Sequence, residues 1–324
     1  MKASAIAGSN IALLKYWGVR DSALNLPLNS SISITLDNAH TVTTVAFDPQ
    51  LGADRLELDG QPASEVARVR ASQHLDHLRL LADVSWPARI TSRNNFPTGA
   101  GVASSASGFA ALTVAGAAAL GLDMSAQELS RLARRGSGSA CRSLFGGFVE
   151  WIAGTDDASS FATPLALPDH WALCDLIAVV AEGHKAVSSA QGHLLAGSSP
   201  LCAARVRAVE EALPHVRRAI QERDLATLGQ IVERDAVAMH AVMMTGQPGL
   251  FYWLPETLRV MLAVRAWREE GLPAYFTIDA GPNVHVLCAA AHAGEVIRRL
   301  QDTPGVRHVL ENHPGPGPRV LDAP

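Results

Sequence analysis

The alternation of apolar and polar positions changes period along the chain, and those changes mark its elements. In residues 24–36 (LNLPLNSSISITL), Ser31, Ser33 and Thr35 alternate with Ile32, Ile34 and Leu36, the pattern of a half-buried strand. Thr41–Phe47 predicts a second strand, and Arg55–Leu58 with the turn Asp59-Gly60 predicts a hairpin. The period then lengthens. Ala63–Ala82 reads as an exposed amphipathic helix, Ala88–Ser92 as a strand, and the Ala/Leu-rich Phe109–Leu120 as a helix. Ser125–Arg134 opens on a capping box, Ser125 standing three residues before Glu128. Trp171–Val180 is a mostly apolar strand. Ala203–Glu222 and Leu225–Met244 are helices with apolar spacing near 3.6, and Pro214 predicts a kink or split in the first. Pro255–Glu270 and Ala293–Leu300 are further helices. Tyr275–Ala280, Val284–Ala290 and Val306–Glu311 are strands, and the Pro/Gly tail from His313 is expected to be irregular.

The chain is therefore mixed α/β (α+β), without repeats or low-complexity blocks. Its 324 residues are long for one core, which predicts two lobes. Polar and Pro residues cluster between about Ser160 and Asp169 and place the boundary there, giving lobes 1–168 and 169–324. A net charge of −4 leaves no basic surplus for nucleic acid, and no apolar run is long enough to span a bilayer. The N-terminus has one early lysine and is interrupted by polar residues, so no signal peptide is expected. Cys141, Cys174, Cys202 and Cys288 lack CxxC or metal spacing and read as reduced thiols of a cytoplasmic protein. His74 and His77 lie three apart on a predicted helix, but no cysteine joins them, and no metal ligands are assigned.

Candidate chemistry centres on Asn94–Gly108 (NNFPTGAGVASSASG). Gly99 and Gly101 permit backbone angles that a Cβ forbids, and the alanines let a ligand approach the main chain. A small-residue loop feeding a helix start cradles an anion; the plainer alternative is a tight turn before a buried helix. The Gly-Lys-Ser/Thr ending of a Walker A loop is missing. A second such stretch runs from Arg135 to Trp151, where Ser137, Ser139 and Arg142 are interleaved with glycines. Hydroxyls and a guanidinium there can converge on one oxyanion; alternatively Arg142 makes a structural ion pair. Lys15 sits in an apolar and aromatic segment, either against an anion or with its stem along Tyr16 and Trp17. Asp279 stands at a strand end beside Gly281-Pro282, costly to carry there unless paired or used. His240 on a helix reads as packing.

These stretches together resemble the diphosphomevalonate decarboxylases of the GHMP kinase superfamily. The resemblance rests on SNIALLKYWG (9–18), LNLPLNSSISITL (24–36), NNFPTGAGVASSASGFAAL (94–112), RRGSGSACRSLFGGFVEW (134–151) and DAGPN (279–283). It implies a GHMP kinase fold, with an N-terminal lobe of ribosomal-protein-S5 type and a C-terminal ferredoxin-like lobe, and a homodimer. It implies ATP with Mg2+ over the glycine loop and a phosphorylated 3-hydroxy acid facing it. A tertiary 3-hydroxyl would be phosphorylated, then phosphate and CO2 lost to give isopentenyl diphosphate. By that resemblance Asp279 is the base, Ser105, Lys185 and the loop N–H groups serve the transferred phosphoryl, and Arg142 holds the departing carboxylate. Lys15, Tyr16, Ser137, Gly138, Ser139 and Ser189 line the substrate side. Ser92, Asn94, Pro97, Gly99, Gly101, Ala103 and Ser104 lie near the nucleotide. The family usually reads KYWGK, where this chain has Val19 followed by Arg20, and Ala190 and His193 also depart from its pattern. A substrate with a less charged tail, such as mevalonate 5-phosphate, is therefore an alternative. So are another 3-hydroxy acid, a kinase that does not decarboxylate, and a non-catalytic binding protein. Retention of Asp279, Lys15 and Arg142 together argues against the last two.

Overall fold

The computed structural model describes residues 1–96, 104–183 and 187–321. Two antiparallel-dominated sheets organise it, and the first is built outward from its longest strands. Strand β1 (Lys2–Leu14) leads through a small ribbon, β2 (Val19–Asp21) and β3 (Leu26–Pro27), into β4 (Ser31–Phe47). The two strands expected at 31–36 and 41–47 are one, because the ladder with β1 runs on past exposed Asp37 and Asn38 with only local register shifts. The hairpin β5 (Arg55–Leu58) and β6 (Gln61–Pro62) forms as its turn residues predict, with Asp59 and Gly60 both at positive φ. Helix α1 (Glu65–Ala82), capped by Ser64, covers the sheet before β7 (Ala88–Asn94) joins it.

Helix α2 (Ser104–Ala119) begins five residues earlier than its apolar pattern suggests, so Ser104, Ser105 and Ser107 belong to its opening turns rather than to the loop. Its Ala-rich body packs on β1, and α3 (Ala126–Gly136) carries the expected capping box at Ser125 and Glu128. A 3-10 segment, Gly138–Leu144, then leads to β8 (Phe148–Ile152) and β9 (Phe161–Ala166).

The second sheet follows the order β11-β12-β10-β13, where β10 is Leu173–Val179, β11 Ala274–Thr277, β12 Val284–Ala289 and β13 His308–Asn312. Between β10 and β11 lie α4 (Ser189–Leu195), α5 (Cys202–Glu222), α6 (Leu225–Thr245) and α7 (Pro255–Glu269); α8 (Ala293–Gln301) precedes β13. Pro214 does not split α5. The tail is not irregular throughout. Pro314 bridges to Leu36, and β14 (Arg319–Leu321) adds to the edge of the first sheet beside β1.

One apolar core joins the two sheets: Ile11, Leu13, Ile32 and Ile34 from the first meet Ile177, Leu287 and the α5–α6 residues Val209, Val216, Leu228 and Val232. The active-site candidates lie along this seam. That explains why Ser31–Leu36 is buried on both faces rather than half-buried. Its isoleucines face the shared core, and its polar face meets Arg142 and the carbonyl of Phe145.

Candidate active site

Lys15 follows directly on β1 and its side chain is 2% exposed. Its ammonium sits 2.7 Å from Asp279 Oδ1 and donates to the Ala12 carbonyl at 2.9 Å. The backbone of Lys15 is fixed as firmly. Its N–H donates to Asp235 Oδ2 (2.7 Å), and its carbonyl accepts from Arg205 (2.8 Å) and Asn29 (3.1 Å). Arg205 and Asp235 pair at 2.7 Å, so β1, α5 and α6 meet at this lysine. The surface alternative for Lys15 is thereby set aside.

Asp279 lies two residues beyond β11, not within the strand. Gly281 N–H (2.7 Å) and His240 Nε2–H (3.1 Å) both donate to its carbonyl, leaving the carboxylate aimed at Lys15. Burial opposes ionisation of Asp279, but the charges of Lys15, His285 and Arg142 outweigh it and hold the carboxyl below its usual range. The side chain remains 27% exposed, so an oxygen is available as a proton acceptor. His240 is buried, which pushes its pKa down to about 3 and keeps the ring a neutral donor. Its role is to position Asp279.

Arg142 lies in the 3-10 segment, where Gly138 and Ser139 let the chain turn tightly against Tyr16. A Cβ at Gly138 would stand 2.6 Å from Tyr16 Oη. Nε and Nη2 of Arg142 donate to Asn10 Oδ1 (3.2 and 2.9 Å), and Nη1 donates to Ser31 Oγ (2.7 Å). Three of the five guanidinium donors are thus spent on orientation, and among the described residues two remain without a partner. Among the described residues Arg142 pairs with no carboxylate, which speaks against the structural ion-pair alternative. The guanidinium lies 5.8 Å from the Tyr16 ring centroid, and burial pushes the Tyr16 hydroxyl pKa up, keeping it protonated. His193 stacks on Tyr16 at 4.4 Å and contacts Trp17. Its Nδ1 accepts from Gly18 N–H at 3.0 Å, so the neutral ring carries its proton on Nε2.

On the other side, Ser137 Oγ donates to Ser105 Oγ at 3.2 Å, joining the two small-residue stretches. The first turn of α2 contains no acid, and the positive end of its dipole favours an anion. Asn94 Oδ1 accepts from Thr41 (2.7 Å), whose hydroxyl also bonds Ser107, while Ser92 bonds Thr43 (2.9 Å). Ser104 is the first residue of α2, and Ser189 opens α4. Pro97, Gly99, Gly101, Ala103 and Lys185 lie outside the described residues. His74 is buried and its Nε2 bonds Thr113 at 2.7 Å.

No individual sequence signal marks Asn10, Asn29, Asp235 or Arg205: Arg205 and Asp235 are charges among others on α5 and α6, and Asn29 lies between β3 and β4. Helix α4 was findable, since Ser188 and Gln191 form a capping box.

A helix start without acids, a buried lysine–carboxylate pair and an oriented arginine, on two sheets sharing one core, have the form of the GHMP kinase class. The family model described as the diphosphomevalonate decarboxylase-like N-terminal domain matches residues 7–162, and that of the mevalonate 5-diphosphate decarboxylase C-terminal domain matches residues 175–320. The diphosphomevalonate decarboxylase of Saccharomyces cerevisiae is 42% identical over 87% of this chain and 76% of its own, and that of Ganoderma lucidum 39% over 92% and 81%. The mevalonate diphosphate decarboxylase structure from Staphylococcus aureus superimposes with a TM-score of 0.95 at 38% identity, covering 99% of this chain and 98% of that one. A complex of MDDEF with MVAPP, AMPPCP and magnesium gives 0.94 at 40% identity, covering 100% and 99%. The chain belongs to the diphosphomevalonate decarboxylase family.

Proposed function

We propose that this protein uses ATP to convert mevalonate 5-diphosphate to isopentenyl diphosphate, by phosphorylating the 3-hydroxyl and then losing phosphate and CO2. The observation that carries this reading is the joint placement of a partly exposed, charge-stabilised Asp279 and an oriented Arg142 with two donors left without a partner among the described residues. A tertiary alcohol is a poor nucleophile, and Asp279 accepts its proton. Lys15 holds that carboxylate in place and adds positive charge where phosphoryl oxygens gather. Arg142 binds the substrate carboxylate through its free fork until it leaves as CO2. Tyr16, Ser137, Gly138, Ser139 and Ser189 line the substrate side. Ser92, Asn94, Ser104 and Ser105, with Pro97, Gly99, Gly101, Ala103 and Lys185, serve the nucleotide side.

The acid-free start of α2 and the Ser105–Ser137 contact fit the phosphates of ATP. ATP with Mg2+, when bound, supplies the phosphoryl group and neutralises its charge. The lobes in this reading are 1–168 and 169–324, a division supported by the gap between the two family matches. The same reading makes the protein a cytoplasmic homodimer. Four free cysteines suit a reducing compartment, and two-fold assembly is the commonest kind.

One observation favours a second reading, the same chemistry on mevalonate 5-phosphate. Val19 brings no charge, and the guanidinium of Arg20 is engaged by the carbonyls of Gly154 (2.9 Å) and Pro27 (3.3 Å). The test is to supply ATP and Mg2+ with mevalonate, its 5-phosphate or its 5-diphosphate and to measure ADP and CO2 together. Equal release with the diphosphate is expected, and Asp279→Asn should lower it by about 10²–10⁴-fold. Preference for the monophosphate would select the second reading, and ADP without CO2 would overturn both.

A further inference from the structure

Cysteines far apart in the sequence come together in the second sheet. Cys174 on β10 and Cys288 on β12 are direct cross-strand partners, both fully buried. On the other side of β10 runs β13, where Glu311 stands opposite Leu176 on the face that Cys174 shares. His313 follows one residue beyond β13. A sulfur of Cys174, a carboxylate oxygen of Glu311 and a ring nitrogen of His313 all lie within 4.8 Å of one another, the one such group among the described residues.

The histidine is held from behind. Its Nδ1 is 3.4 Å from Asp37 Oδ2, its backbone N–H donates to Asp37 Oδ1 at 2.8 Å, and its Nε2 faces Glu311 Oε1 at 3.6 Å. A carboxylate behind one ring nitrogen, leaving the other toward a thiol and a second carboxylate, is the arrangement that orients a metal-binding imidazole.

We propose that Cys174, Glu311 and His313 form a binding site for a zinc-type divalent cation, with Asp37 orienting His313 and water in the fourth position. A sulfur–nitrogen–oxygen set selects a borderline-soft ion and disfavours Mg2+ and Ca2+, which take oxygen ligands. The Glu311 and His313 side chains are 45% and 44% exposed, which gives the ion an entry path and lets both close on it. The site lies where the tail turns back to the first sheet. Pro314 bridges to Leu36, and Gly315 N–H donates to the Thr35 carbonyl at 2.7 Å. The ion would fasten β10, β13 and the start of that tail together, with Asp37 of β4 held against it. Its role is structural, apart from Lys15, Asp279 and Arg142.

The test is a Co2+ titration of the full-length, reduced chain without a polyhistidine tag. One equivalent should produce a thiolate-to-cobalt charge-transfer band and tetrahedral visible bands, and stoichiometric Zn2+ should displace them and raise Tm. Cys174→Ser should abolish the charge-transfer band. His313→Gln and Glu311→Gln change only partly exposed side chains and should each weaken binding at least tenfold while decarboxylation persists. Absence of a thiolate band in the wild-type protein, its retention in Cys174→Ser, or unchanged affinity in both glutamine variants would overturn the proposal.

Discussion

At the scale of single residues, the site separates groups that hold from groups that act. Arg142 spends three donors on Asn10 and Ser31, and its planar fork fixes the two that remain. Arg142→Lys keeps the charge but cannot reproduce both the buried bonds and the fork. With charge-assisted hydrogen bonds worth about 1.5–3 kcal/mol, kcat/KM should fall roughly ten- to a hundredfold. A fall below threefold would remove Arg142 from carboxylate binding. Lys15 has a different signature. Its charge is the leading reason why the Asp279 carboxyl lies below its usual range against the opposing effect of burial. A lowered carboxyl pKa keeps the base ionised as pH falls, and removing the cation raises that pKa. Lys15→Met should therefore move the acid limb of the kcat/KM profile to higher pH, beyond any loss in the plateau. An unmoved limb would mean that Asp279 is not the group seen in the profile.

At the scale of elements, the clamp on Lys15 comes from helices distant in sequence. Asp235 on α6 accepts from the Lys15 backbone N–H and pairs with Arg205 on α5, whose side chain is 4% exposed. Asp235→Ala strands a buried guanidinium, an uncompensated charge costing about 3–5 kcal/mol. The expected result is a marked drop in Tm and denaturation midpoint together with lost activity. Asp235→Asn, which can still accept from Lys15 N–H, should recover part of the activity without the full stability. Equal damage from both would show that the charge alone matters. This clamp also marks where the sequence stops being legible. Periodicity located most helices and strands, since burial of one face dictates period 2 or 3.6. It missed that the polar face of Ser31–Leu36 is buried too, because alternation cannot tell solvent from an arginine in an active site. It missed the 3-10 segment at Gly138–Leu144 and the pairing of β14 with β1, since short elements carry too few residues to show a period. Asp279, Lys15 and Arg142 stood out as charges in apolar or glycine-rich settings. Asn10, Asp235 and Arg205 did not, because each is ordinary in its own helix or strand and acquires its role only from a partner on another element. The Cys174–Glu311–His313 group was hidden for the same reason, its members lying on one strand and at the end of another.

At the scale of the whole molecule, the same seams that assemble the site bury neutral histidines. His74 bonds Thr113 beneath α1, His193 stacks on Tyr16 and accepts from Gly18, and His240 donates to the Asp279 carbonyl. Burial lowers each ring's pKa to about 3. In the unfolded chain the same rings titrate near the ordinary histidine value of about 6.5. Between those two values the unfolded state binds protons that the native state refuses, so stability must fall as pH drops below about 6.5. Above that pH none of the three contributes a slope. Lowered carboxyls such as Asp279 act in the same direction only further down, as pH falls below the ordinary carboxylate range. Unfolding near pH 5 should then take up protons in a number approaching three from these histidines. Calorimetry in buffers of different ionisation enthalpy measures that uptake directly. His74→Gln should reduce it by about one without touching the cleft, because a neutral amide can still bond Thr113 but does not titrate. Uptake near zero at pH 5 would mean that these rings are charged in the folded protein. His240 would then be an imidazolium beside Asp279, one more cation holding the carboxylate ionised alongside Lys15, His285 and Arg142.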